Sequence, residues 1–128
     1  MEPVRRTCTG PSTSPRAVLT AVTAAVAGLK AYPIANASWS EAGILVHRQI
    51  NIGMATALGD AGLIVPVIRD ADRLPIGELH DRAVSLAARA REGSLAVDDM
   101  TGSTFTVSNL GMFGVEEFSA IINPGEAA

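Results

Sequence analysis

Ser108 and Asn109 are the residues of this chain best placed, by type and spacing, to do chemistry. They end an alternating apolar stretch, Thr104-Phe-Thr-Val-Ser108, and stand just ahead of two closely spaced glycines, Gly111 and Gly114. A small hydroxyl held at the end of a buried strand can aim one hydrogen bond at a negative charge developing on a carbonyl oxygen. The glycines would serve backbone geometry beside it. Most strand-end hydroxyls only bond backbone or water, so position alone leaves a structural role open.

Other reactive residues offer less. His80 falls off the apolar stripe of its predicted helix and reads as a surface residue. Cys8 is the single cysteine, so no intrachain disulfide forms, and no metal-ligand spacing occurs. A reducing, cytoplasmic setting is the expectation. With ten basic residues spread along the chain and a net charge of −3, no nucleic-acid footprint is visible. No apolar run is long enough to span a bilayer. Arg5, Arg6 and Arg16 ahead of the apolar Ala17–Leu29 imitate a secretory leader, but the residues leading into that run hold three prolines, and Lys30 and Pro33 separate the run from the Ala35-Asn-Ala37 site.

The 128 residues suffice for one domain with a real core. Hydrophobic content is 48%, charged content 18% and mean hydropathy +0.28, apolar for a small monomer. A large subunit interface or an incomplete fold would each account for that.

The elements that must position Ser108 follow from pattern. Residues 1–13 read as a disordered tail, and residues 14–128 as the domain. Ser14 caps a helix opened by Pro15 and running to about Tyr32, with Val18, Val22, Ala25, Val26 and Leu29 on one side. Asn36–Trp39 reads as a connecting segment and Glu41–Gly43 as a turn, before a short strand at Ile44–His47. Ile50–Leu58 reads as a second strand and Gly59–Gly62 as a turn. Leu63–Ile68, apolar throughout, reads as a central strand with a local irregularity at Pro66. Arg69–Arg73 is a charged, solvated loop. Pro75 opens a second helix to about Arg91, burying Ile76, Leu79, Ala83, Leu86, Ala87 and Ala90, with Gly93 ending it. Leu95–Met100 holds one turn, and Thr104–Ser108 and Phe118–Ile122 are strands. The order is that of a mixed α/β fold.

Several segments, in register, resemble one family. Thr104–Gly114 is similar to T-F-T-[IV]-S-N-L-G-x-[FY]-G. Asn36-Ala-Ser-Trp39, Ile50-Asn-Ile-Gly53, Gly62–Asp72 and Ile121-Ile-Asn-Pro124 match N-A-S-W, [VI]-N-I-G, G-L-I-V-P-V-I-[KR]-D-A-D and I-I-N-P. The chain thus resembles the catalytic domain of 2-oxo acid dehydrogenase acyltransferases over roughly residues 17–128. The resemblance implies a chloramphenicol-acetyltransferase-like fold, a mixed sheet with flanking helices, incomplete at its C-terminus. It implies homotrimers within a larger core, alongside other 2-oxo acid dehydrogenase components. The implied reaction moves an acyl group between dihydrolipoamide, carried on a lipoyl domain outside this chain, and coenzyme A.

Carried over residue by residue, Ser108 falls on the oxyanion-binding hydroxyl, with Asn109, Leu110 and Gly111 lining substrate beside it. Trp39 reads as a core or interface anchor, and Met112 and Phe113 as packing or subunit contact. The family's histidine base lies in a D-H-R-x-x-D-G motif downstream of I-N-P, which these residues do not contain. His47-Arg-Gln-Ile-Asn-Ile-Gly53 imitates it in the wrong place and without the aspartates, so His47 reads as a solvated strand residue. A thiol near its free pKa needs a base, so the expectation is a polypeptide nearly inactive alone. The rivals are a non-catalytic piece of an oligomeric core and a coenzyme A-binding module.

Overall fold

A computed structural model describes residues 15–59, 62–109 and 119–128. Helix α1 spans Pro15–Ala31, strands β1 and β2 Ala37–Ser40 and Gly43–Val46, β3 Ile52–Met54 and β4 Thr56–Ala57. Strands β5 (Leu63–Ile64) and β6 (Val67–Ile68) follow, then α2 (Ile76–Glu92) and β7 (Phe105–Val107). Short 3-10 turns occupy Pro33–Ala35, Ala71–Arg73 and Val97–Met100. The tail and the Ser14 cap lie outside the described residues.

The centre is a three-stranded mixed sheet in the order β6-β3-β7, with β3 antiparallel to β6 and parallel to β7. The two helices lie against each other, with α1 also touching β7 and α2 touching β6. Val22, Val26 and Leu29 of α1 meet Leu79, Ala83 and Leu86 of α2 over Ile52, Met54 and Ile68. Ile52 and Ile68 have no exposed surface, and burying each such side chain is worth roughly 1.5–3 kcal/mol. The α2 stripe holds at Leu79, Ala83, Leu86 and Ala90, whereas Ile76 is exposed and Ala87 half-buried. Gly93 ends α2 in the left-handed conformation (φ 69°), and Ser94 N–H bonds Arg89 O at 2.9 Å.

Four expectations need correction. Asn36–Trp39 is no mere connection: Ala37–Ser40 is a strand, paired with Gly43–Val46 in the register Ala37 to Val46. The buried Asn36 amide makes this possible by donating to His47 O (3.1 Å) and Gln49 O (2.9 Å), which fastens both ends of the hairpin. Trp39 is 82% exposed, so it is not a core residue of this chain. Second, Ile50–Leu58 breaks at Ala55, whose N–H bonds Val107 O, sending β4 to pair with β5.

Third, Leu63–Ile68 is two two-residue strands serving different sheets, not one central strand. The buried Pro66 offers no N–H and its carbonyl takes Met54 N–H at 2.8 Å, so the ladder turns there. Fourth, residues 119–122 carry no strand, and Ile121 is 95% exposed. Phe118 lies outside the described residues.

The 69–73 loop is also less solvated than its composition suggests. Asp70 takes a left-handed conformation (φ 48°), with its N–H on Asn51 Oδ1 at 2.9 Å, and Ala71 N–H bonds Ile50 O. Arg69 Nη2 donates to the carbonyls of Asp98 (2.7 Å) and Thr101 (3.0 Å), tying this loop to the segment leading into β7. The Gly59–Gly62 turn is closed by Leu58 N–H on Gly62 O at 2.8 Å; residues 60 and 61 lie outside the described residues.

Candidate functional site

Strand β7 is placed by its neighbour β3, in the register Ile52 to Phe105, Gly53 to Thr106 and Met54 to Val107. The start of this pairing is clamped by the buried Asn51. Its N–H meets Thr104 Oγ1 (3.1 Å), its carbonyl takes Thr104 N–H (2.9 Å), and its side-chain amide donates to Gly102 O (2.9 Å). Together with the bond from Asp70, one asparagine joins three chain segments. The sequence marks Asn51 only as part of a family motif; its isolation as the one polar residue in an apolar run was the signal available.

Gly53 sets how closely β7 can approach. A Cβ there would lie 2.8 Å from Thr106 Oγ1 and 2.8 Å from a Val65 methyl. Any side chain at 53 would therefore push on the strand two residues before Ser108.

At the C-terminal end of β7 lies a cavity of about 620 Å³. Val18 and Ala21 of α1, Ala83 and Ala87 of α2, strands β4 and β5 and the segment Ser119–Pro124 wall it. Thr106, Ser108 and Asn109 supply polar groups on one side, and Arg91 is the single charged residue on the wall among the described residues. Apolar walls with a few convergent polar groups suit an organic ligand.

Ser108 is exposed to this space, and its hydroxyl has no hydrogen-bond partner among the described residues. Thr106, on the same face, is already committed: it donates to Glu126 Oε1 at 3.0 Å and accepts from Asn123 Nδ2 at 3.0 Å. Of the Thr106 hydroxyl in β7 and the Ser108 hydroxyl just past its end, Ser108 is the one left able to donate among the described residues. Asn109 is brought to the same wall. Leu110 and Gly111, expected to line substrate, lie outside the described residues, as do Cys8, Met112, Phe113 and Gly114.

Neither histidine is on the cavity wall. His47 follows β2, half-buried, with Nε2 2.5 Å from Ser38 Oγ, while Ser38 donates to Gly125 O. Ser38 has one proton and spends it on Gly125, so the ring N–H donates to Ser38. His47 is thus a bonded structural residue, not a merely solvated one. His80 is half-buried on α2, with Nδ1 enclosed and unpaired among the described residues, more covered than a surface helix residue. No group of three or more metal-ligating side chains occurs among the described residues, and no described helix is long and apolar enough to cross a membrane.

Comparison with known proteins agrees with the motifs. The family model for 2-oxoacid dehydrogenases acyltransferase (catalytic domain) matches residues 9–128. The dihydrolipoyllysine-residue acetyltransferase component of the acetoin cleaving system of Bacillus subtilis (strain 168) is 45% identical over 103 residues, 80% of this chain and 26% of that protein. The crystal structure of a probable dihydrolipoamide acetyltransferase from Listeria monocytogenes 4b F2365 superposes with TM-score 0.80 at 38% identity, covering 85% of this chain and 46% of that one. A dihydrolipoamide acetyltransferase of Azotobacter vinelandii, studied for the catalytic roles of a serine, a histidine and an asparagine, superposes with TM-score 0.79 at 34% identity, covering 85% of this chain and 45% of that one. The chain spans about a quarter of the length of the curated relatives it matches.

Proposed function

The chain belongs to the family of 2-oxoacid dehydrogenase acyltransferase catalytic domains, and on that footing we propose that it serves acyl transfer between dihydrolipoamide and coenzyme A, with the Ser108 hydroxyl stabilising the oxyanion. The coenzyme A sulfur attacks the thioester carbonyl of the acylated dihydrolipoyl arm. A C–S bond forms, the carbonyl oxygen becomes an oxyanion, and collapse breaks the old C–S bond. The proton leaves the attacking thiol for a base and returns to the departing thiolate. Ser108 donates to the oxygen at its most negative, which is where a fixed donor lowers the barrier. Asn109, on the same wall, would lie beside the acyl group; the family resemblance gives Leu110 and Gly111, outside the described residues, the same role.

The observation that carries this reading is the Ser108 hydroxyl, without a partner among the described residues, on an apolar cavity where the Thr106 hydroxyl is already bonded. His47 and His80 stand away from that wall, so the base is a group other than these two. The 128-residue polypeptide tested by itself should therefore transfer acyl groups slowly, and added imidazole should speed it by supplying the base. The test is imidazole-assisted transfer from acetyl-coenzyme A to dihydrolipoamide. Ser108→Ala should lower the assisted rate by about 10²–10³-fold, as for loss of one oxyanion donor. An unchanged assisted rate in that variant sinks the oxyanion role. Fast transfer without imidazole sinks the account of the base.

The same reading brings partners. We place the chain in homotrimers within a larger core that works with the other components of a 2-oxo acid dehydrogenase complex. Coenzyme A is a substrate, and the lipoyl group arrives on another domain. An observation favouring subunit contact is the exposed apolar surface of the hairpin, where Trp39 is 82%, Ile44 60% and Leu45 57% exposed. Sedimentation of the wild type against Trp39→Ser tests it. An unchanged oligomer in Trp39→Ser removes the hairpin from the interface, and a monomeric wild type removes the trimer itself.

A further inference from the structure

One carboxylate gathers the polar groups behind the cavity wall. Glu126 is half-buried, and its Oε1 receives the Thr106 hydroxyl at 3.0 Å, the Ser103 hydroxyl, and Asn123 Nδ2 at 3.5 Å. Its Oε2 is enclosed and has no partner among the described residues. A carboxylate taken out of water is tolerated only when donors surround it, and charge-assisted bonds are stronger than neutral ones. Thr106 is thereby gripped from two sides. Across the sheet, the bare face of Gly53 leaves it just enough room. From the other side, Glu126 and Asn123 hold its hydroxyl. Asn123 belongs to the segment that forms the far wall of the cavity, and Thr106 is two residues from Ser108 on the same strand face.

We propose that Glu126 is a positioning residue: by binding Thr106 and Asn123 together it fixes the end of β7, and hence the Ser108 hydroxyl, relative to the opposite wall of the acyl-transfer cavity. The proposal rests on the oxyanion reading of Ser108 for its catalytic consequence, though not for the anchoring itself. Thr106 N–H looks away from β3, to Ala128 O at 3.4 Å, so no strand ladder secures that edge among the described residues.

The experiment compares Glu126→Ala with Glu126→Gln in the full 128-residue chain. Two readings are taken: kcat and KM for acetyl-coenzyme A in imidazole-assisted transfer to dihydrolipoamide, and amide hydrogen exchange at Thr106 and Val107. Glu126→Gln keeps an acceptor oxygen for Thr106 and Ser103 and should stay close to wild type in both. Glu126→Ala should lower kcat by roughly 10-fold or more, within the ~10²-fold that a misplacement of about 1 Å can cost. KM should stay within about 2-fold, since the lost interaction acts on the transition state. Exchange at Thr106 and Val107 should quicken in Glu126→Ala alone. Equal losses in the two variants, or no loss in either, overturn the proposal. If Ser108→Ala proves silent, the oxyanion reading fails by itself, and the exchange data still decide the anchoring. Should Glu126→Ala not fold, Thr106→Val severs the same link and is read in the same way.

Discussion

Two serines of this chain invite comparison. Ser38 sits within 2.5 Å of a histidine, and Ser108 has no histidine beside it. Judged by its histidine neighbour, Ser38 is the more reactive-looking serine; as a donor open to a ligand, Ser108 is the better placed. Ser38 spends its proton on Gly125 O and accepts from His47, so it joins the hairpin to the C-terminal segment and has no proton left to donate. Ser108, on a cavity of about 620 Å³, has no partner among the described residues. A saturated hydroxyl holds structure, whereas an unsatisfied one facing a cleft is available to a ligand.

The sharpest way to break that contrast is to truncate each serine. Ser108→Ala should cost ~3–4 kcal/mol of transition-state stabilisation in assisted transfer while leaving the thermal midpoint near wild type. Ser38→Ala should do the reverse, with transfer kept and stability lowered by about 0.5–1.5 kcal/mol for a net hydrogen bond. Equal effects on rate would end the distinction.

Asn51 sharpens the comparison from the side of support. Asn51→Ala strands the Asp70 N–H and the Gly102 carbonyl, each at about 1–3 kcal/mol when left unsatisfied. Urea unfolding should show this loss, larger than that of Ser38→Ala. Gly53→Ala comes next: overpacking against Thr106 and Val65 should cost typically about 1–3 kcal/mol and also slow assisted transfer, because the displaced strand carries Ser108. Ser38 makes no direct bond to β7, so a rate effect larger in Gly53→Ala than in Ser38→Ala would tie β7 placement to chemistry.

The smallest expected effect lies at Asp99, which is not on the cavity wall. The Ala96 N–H and then the Arg89 guanidinium hold its carboxyl below the usual carboxylate range. Its folded pKa is depressed, so its contribution is present above the unfolded value of about 3.9 and is lost as pH falls through the lower folded value. Arg89→Gln should flatten the fall of the thermal midpoint on acidification through that window. An identical profile would show that the pair is silent, as exposed pairs often are.

The helices were legible in the sequence because their signals are local. Pro15, Pro75 and Gly93 mark ends, and the 3.6-residue stripe marks Val22, Val26, Leu29, Leu79, Ala83 and Leu86, all of which are buried. The strands were legible as apolar runs but not in their pairing. Nothing local says that the ladder turns at Pro66 or that Ala55 hands its N–H to Val107, because those bonds join segments far apart in sequence. Asn36 was legible only as part of a connecting segment for the same reason: its partners, His47 O and Gln49 O, lie 11 and 13 residues away.

What the sequence determined by itself was the family, through motifs in register, and the identity of Ser108 as the hydroxyl to watch. A strand-end serine before glycines is a local pattern, and local patterns survive in one dimension. The tertiary structure alone decided which hydroxyls remain free. Hydrogen-bond saturation is a property of neighbours in space: Thr106 commits its proton to Glu126, 20 residues on, while Ser108, two positions along the strand, keeps its own.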